Sequence, residues 1–94
     1  MPSTVPAALR TIRVFEIFAR EKRPLTNVEI ATYLDVAVSS ASDLVHTLVE
    51  AGYLMRTARR QIAPTNRLSE IMRAVDGAGL PIVQIQESCE RLRD

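Results

Sequence analysis

Apolar positions follow a helical rhythm in most of this chain and a strand-like one in a short stretch. Leu9, Ile12, Phe15, Phe18 and Ala19 recur at steps of three and four, on one face of a first helix over residues 7–20. The polar run Glu21, Lys22, Arg23 closes it, and Pro24 prevents its continuation. Thr26 with Glu29 three residues later has capping-box spacing: hydroxyl and carboxylate each satisfy a backbone N–H left unpaired by the first helical turn. A second helix therefore starts at Thr26, with Ile30, Ala31 and Leu34 inward. Residues 35–38 make a turn. A third helix begins between Val38 and Ser40, where Ser40 and Asp43 repeat the capping spacing and Ser39 is the other candidate cap. Ala41, Leu44, Val45 and Leu48 form its inner face, leaving Ser39, Ser40, Ser42, Asp43 and His46 outside. Gly52 suits the residue just past a helix end, where φ is often positive.

Residues 53–56 and 61–64 read as two strands joined by Thr57, Ala58, Arg59 and Arg60, a short turn without glycine. Pro64 suits the end of an edge strand, since it has no N–H to donate. A fourth helix from Thr65 or Asn66 carries Leu68, Ile71, Met72 and Val75 until Asp76-Gly77-Ala78-Gly79 breaks it. A last helix runs from Pro81 to about Arg93, with Ile82, Val83, Ile85 and Leu92. The expected organisation is a flexible arm at 1–7, one folded unit at 8–75, and a linker with a C-terminal helix at 76–94. The fold class is mainly α with a small β-hairpin: a winged helix-turn-helix, which usually sets its second motif helix into the DNA major groove.

Charge complicates that reading. Net charge is only +1 over 94 residues, but it is unevenly spread. Residues 1–23 carry +3 and residues 56–75 carry +4, whereas residues 24–55 hold Glu29, Asp35, Asp43 and Glu50 with no Lys or Arg, a net −4. The helix-turn-helix is thus acidic, and the two basic blocks flanking it are the expected source of phosphate contacts. The remaining composition is ordinary: 47% apolar and 24% charged, with no apolar run long enough to span a bilayer. Residues 1–10 lack the basic and apolar regions of a secretory signal. Cys89, the single cysteine, has no internal disulfide partner, and no His or Cys cluster offers a metal site. A cytoplasmic protein without cofactor is expected. Ser42, Asp43 and His46 resemble a catalytic set on paper, yet one exposed helix face lacks a pocket and oxyanion donors, so no enzyme is expected.

Three segments carry a family resemblance. RTIRVFEIFA (residues 10–19), PLTNVEIATYL (24–34) and SSASDLVHTLVEAGYL (39–54) stand in the order and spacing of the N-terminal DNA-binding domain of IclR-type bacterial transcription regulators. The tail PIVQIQESCERLRD is similar to the helix that leads into that family's effector-binding domain. The resemblance implies a DNA-binding domain and a small-molecule effector acting only through a C-terminal domain missing from this chain, which would then be a fragment. A homodimer is expected because one third helix contacts only a few base pairs and symmetric pairing doubles the footprint. This chain departs from the family pattern at Asp35, where Gly is usual, at Ala37, where Pro is common, and at Asp43, where Arg is common.

The candidate DNA-binding residues follow from this layout. Ser39, Ser40, Ser42, Asp43, His46 and Thr47 lie on the third helix, whose short polar side chains permit close approach to base edges. Asp43 is open to three roles: accepting from a cytosine amino group, capping the helix, or pairing with a wing arginine. Thr26 and Asn27 lie at a helix N-terminus, where free N–H groups favour phosphate, although capping explains Thr26 equally well. Arg56, Arg59 and Arg60 are the wing cations. The alternative function is a winged-helix protein–protein interaction module that offers the acidic third helix to a basic partner.

Overall fold

The computed structural model describes residues 6–85. The order of elements is α1 (Pro6–Glu21), α2 (Asn27–Leu34), α3 (Val38–Glu50), β1 (Leu54–Arg56), a tight turn (Ala58–Arg60), β2 (Ile62–Pro64) and α4 (Arg67–Gly77). The strands pair antiparallel, with Met55 opposite Ala63 and Arg56 opposite Ile62. This is the winged helix-turn-helix expected from the pattern.

The cap of α2 has both halves of the anticipated box. The Glu29 N–H donates to Thr26 Oγ1 at 3.1 Å, and the Thr26 N–H donates to Glu29 Oε1 at 2.9 Å. The helix ends in a Schellman motif: Val36 N–H donates to Ala31 O and Asp35 N–H to Thr32 O, with Asp35 left-handed at φ 59°. Aspartate tolerates that region better than most residues, so it replaces the usual glycine at modest cost. The end of α3 repeats the motif, with Gly52 at φ 89° and bonds from Tyr53 to Leu48 and from Gly52 to Val49. The start of α3 lies within the expected range, but its cap differs from expectation. The helix begins at Val38 behind Ala37, which makes no side-chain cap, and neither Ser39, Ser40 nor Asp43 caps it. Starting this early places Ser40 inside the first turn instead of ahead of it.

Among the described residues, the core is formed by Val14, Ile17, Phe18, Leu25, Ile30, Ala31, Leu34, Ala41, Val45, Leu48, Leu54 and Ile62. The inner faces of α2 and α3 are as read from the sequence, with Leu44 partly buried. That of α1 is not. Val14 is fully buried while Leu9 and Ile12 are 40% and 58% exposed. The helix carries two apolar stripes, and the Val14–Ile17–Phe18 stripe meets α2 and β2. Leu25 lies between helices yet acts as a strand stub: it exchanges both backbone bonds with Ile62, at 2.9 and 2.6 Å. This ties the start of the helix-turn-helix to the wing.

The base of the hairpin is also fixed. Thr65 Oγ1 donates to Gly52 O and the Thr65 N–H to Tyr53 O. Tyr53 meets Phe15 edge-on at 6.5 Å between ring centroids, and Arg67 covers its other side at 5.6 Å. Beyond this anchor, α4 has no buried residue: Leu68, Ile71 and Met72 are each about two-fifths exposed. The helix expected from Pro81 is not formed over residues 81–85, which lie exposed without regular structure; the rest of that expectation, with Leu92 and Cys89, lies outside the described residues. A short segment with nothing to pack on gains little from helix formation. The arm expected at residues 1–7 is shorter in its described part, because α1 already starts at Pro6, a residue suited to a first helical position.

Candidate nucleic-acid interface

The polar face of α3 is presented by its buried face. Ala41, Val45 and Leu48 are locked in the core, so Ser39, Ser40, Asp43, His46 and Thr47 are exposed and Ser42 is half-buried. The α3 side chains are committed to few bonds. Thr47 Oγ1 donates to the Asp43 carbonyl at 3.0 Å, a bond within the helix. Among the described residues, the Asp43 carboxylate makes no ion pair and no hydrogen bond. Two of the three roles open to it, helix cap and partner of a wing arginine, are therefore absent here.

Two clefts organise the candidates. One, of about 490 Å³, gathers Thr26, Asn27 and Val28 from the start of α2, Val38 and Ser42 from α3, and Arg59 and Arg60 from the wing tip. The other, of about 440 Å³, brings Ser40, Asp43, Leu44 and Thr47 of α3 against Ala7, Ala8, Arg10 and Thr11 of α1. Ser39, His46 and Arg56 are exposed outside both. The structure thus divides the predicted residues between two sides of α3. It adds Arg10, which charge-block counting placed among the flanking cations but periodicity alone could not place beside Asp43.

Not every cation of the basic blocks is free for a ligand. Arg23 pairs with Glu29 at 3.0 Å and approaches Glu21 at 3.8 Å; the bond it donates to Glu29 raises its already high pKa. Arg20 pairs with Glu21 and lies over the Tyr33 ring. Arg67 covers Tyr53, and Arg73 pairs with Glu70. Arg10, Arg13, Lys22, Arg56, Arg59 and Arg60 make no ion pair among the described residues.

The N-terminus of α2 is less suited to phosphate than sequence alone suggested. Thr26 spends its backbone N–H and its hydroxyl on the cap, and the Glu29 carboxylate already occupies that positive end. The backbone bond from Thr26, followed by the Arg23 contact, holds the Glu29 pKa below the ordinary carboxylate value. Asn27 Oδ1 is buried without a hydrogen-bond partner, an acceptor that does not invite an anion.

Among the described residues, the wing tip alone has two consecutive non-glycine residues at positive φ. Arg59 and Arg60 both have positive φ, at 69° and 62°. Primed hairpin turns require this at both central residues because it matches strand twist, and they normally use Asn-Gly or Asp-Gly. Here two arginines adopt it, each with an exposed side chain.

A tight turn between α2 and α3, an exposed polar second helix seated on a three-helix core, and a hairpin ending in free cations define a winged helix-turn-helix of the DNA-binding class. No helix among the described residues is long and apolar enough to cross a membrane. Residues 7–58 match the IclR helix-turn-helix domain, more than half of the chain, and the chain belongs to that family. It is a DNA-binding domain of a transcription regulator. No curated protein matches it.

Proposed function

We propose that this domain reads operator DNA with the exposed face of α3 in the major groove and grips the flanking backbone with the wing. The observation that carries this reading is the wing tip. Two consecutive arginines accept a conformation that costs an L-residue on the order of 1 kcal/mol each, where glycine costs nothing. Strain of this kind is kept where the side chains are needed. Arg59 and Arg60 border the same cleft as Ser42, so a backbone that meets one meets the other. Arg10 supplies the corresponding cation on the far side of α3.

We further propose that residues 8–75 act as the DNA-binding unit, that residues 76–94 lead to an effector-binding domain, and that the unit works as a homodimer in the bacterial cytoplasm. One α3 spans only a few base pairs, and two-fold pairing doubles the site. The dimer surface is the second apolar stripe of α1 with α4. Phe15, Phe18 and Ala19 form a groove with Leu68 and Met72, and Ile12 continues the same helix face.

Fluorescence anisotropy of a labelled duplex tests the DNA reading at about 50 mM and then about 200 mM salt. Binding that falls steeply between the two supports a phosphate-gripping module. Absence of binding at the lower salt to random and selected duplexes alike would overturn it and favour the protein-interaction reading, for which the cation-free α3 is the supporting feature.

A further inference from the structure

Asp43 is the one acidic side chain in the first two turns of α3, on its exposed face, and among the described residues it has no intramolecular work to explain its presence. The helix starts at Val38 without a side-chain cap, so Asp43 is not half of a capping box. It forms no ion pair among the described residues, although the cation Arg10 lines the same cleft. Its neighbours one turn away are Ser39, Ser40, His46 and Thr47; only His46 is longer than Asp43, and it is itself a hydrogen-bonding side chain on the same exposed face. A carboxylate that close to DNA meets either phosphates, which repel it, or base edges.

The major-groove edges differ sharply in what they offer an acceptor-only group. Guanine shows two acceptors, N7 and O6. Thymine shows O4 and a methyl group. Adenine shows a donor flanked by the N7 acceptor, and only cytosine shows an amino donor with no acceptor of its own beside it. From this we infer that Asp43 is a specificity-determining residue that accepts a hydrogen bond from the N4 amino group of cytosine at one position of each half-site and rejects guanine there. The inference rests on the proposed placement of α3 in the major groove. Arg10, across the same cleft, contacts an adjoining phosphate and offsets the repulsion between the carboxylate and the backbone.

Selection from a randomised duplex pool, followed by anisotropy on single-base variants of the selected site, tests this assignment. The chain and its Asp43→Asn and Asp43→Ala forms are compared. The parent is expected to select cytosine at one position per half-site and to lose about tenfold in affinity when guanine replaces it. Asp43→Asn is expected to shift that position to adenine, whose N6 and N7 match a carboxamide, and Asp43→Ala to leave it without preference. Because the side chain is exposed and unbonded, unchanged thermal unfolding of both variants is expected and separates a reading role from a folding one. Identical base preferences in all three proteins would overturn the assignment while leaving the DNA reading intact. A parent that retains no duplex would overturn both.

Discussion

The exposed helix α3 and the wing of this domain, proposed above to share one ligand, have opposite endowments. Helix α3 is rigidly seated: Ala41, Val45 and Leu48 are buried, and a Schellman motif through Gly52 fixes its end. It carries no Lys or Arg. The wing is a two-stranded hairpin of three residues a side, with Arg59 and Arg60 exposed in a strained turn. The contrast separates two physical tasks. Sequence reading needs a precisely held surface of short hydrogen-bonding groups and is harmed by indiscriminate charge. Affinity needs cations and tolerates mobility, because phosphate attraction is long-ranged and sequence-independent. A helix-turn-helix with net negative charge is therefore compatible with DNA binding, provided its cations lie beside it.

The largest effect expected comes from unseating α3. Leu48→Ala removes a core side chain from the inner face and should cost about 2–5 kcal/mol of unfolding free energy. Urea denaturation measures this directly. A cost under about 1 kcal/mol would mean that the face of α3 is not held by the core, and the proposed contrast with the wing would collapse.

Removing the wing charges comes next. Arg59→Ala with Arg60→Ala should weaken binding to all duplexes about equally and lower the salt slope by about 2, one for each phosphate contact. A double variant that binds as tightly as the parent would take the wing out of the mechanism. Ser42→Ala and His46→Ala make the complementary break: overall affinity for random DNA should stay within about threefold, while the preferred site changes. If instead these variants lose affinity uniformly, α3 grips and does not read.

The two regions also differ in how far the sequence revealed them. The seat of α3 was legible because Ala41, Val45 and Leu48 fall on one stripe and Thr26 with Glu29 marks where the preceding helix begins. For α1 the same rule picked out Leu9 and Ile12 with Phe15 and Phe18, while the core took Val14 and Ile17. Periodicity cannot rank two apolar stripes that share one helix, because it does not say which of them the core takes. Nor could spacing reveal that Ser40 and Asp43 fail as a cap: a start two residues earlier, at Val38, serves equally well as local sequence. The wing cations were visible as residues, but their backbone was not. Nothing in Thr57-Ala58-Arg59-Arg60 announces two consecutive positive φ values, since that conformation is imposed by closing the hairpin between Thr57 and Gln61. Which arginines remain free was equally hidden, because Arg20 and Arg23 are occupied by carboxylates and a ring on α1 and α2.

That imposed strain sharpens the comparison further. Arg59→Gly relieves a positive φ and should raise stability by up to about 1 kcal/mol while lowering affinity for every duplex. Stability and binding then move in opposite directions at one residue, as expected of a strained functional turn. A variant less stable than the parent would show that the Arg59 side chain supports the hairpin, not the ligand.

The smallest effect concerns the frame from which α3 projects. The Glu29 pKa is lowered first by the Thr26 N–H and then by Arg23; that of Glu21 is lowered first by the Tyr33 hydroxyl and then by Arg20. A carboxyl group with a depressed folded-state pKa adds stability that is fully present above its unfolded value, about 4.3, and is lost as pH falls through the lower folded value. Both groups are solvent-accessible, so the dependence should be shallow. Glu29→Gln keeps an acceptor for the Thr26 N–H but neither titrates nor carries the charge that pairs with Arg23. Its melting temperature should lie slightly below that of the parent at pH 7 and converge on it as both are taken below about pH 4. A gap that stays constant across that range would assign the loss to cap geometry alone, and the Arg23–Glu29 pair would then have no part in holding the entrance to α2.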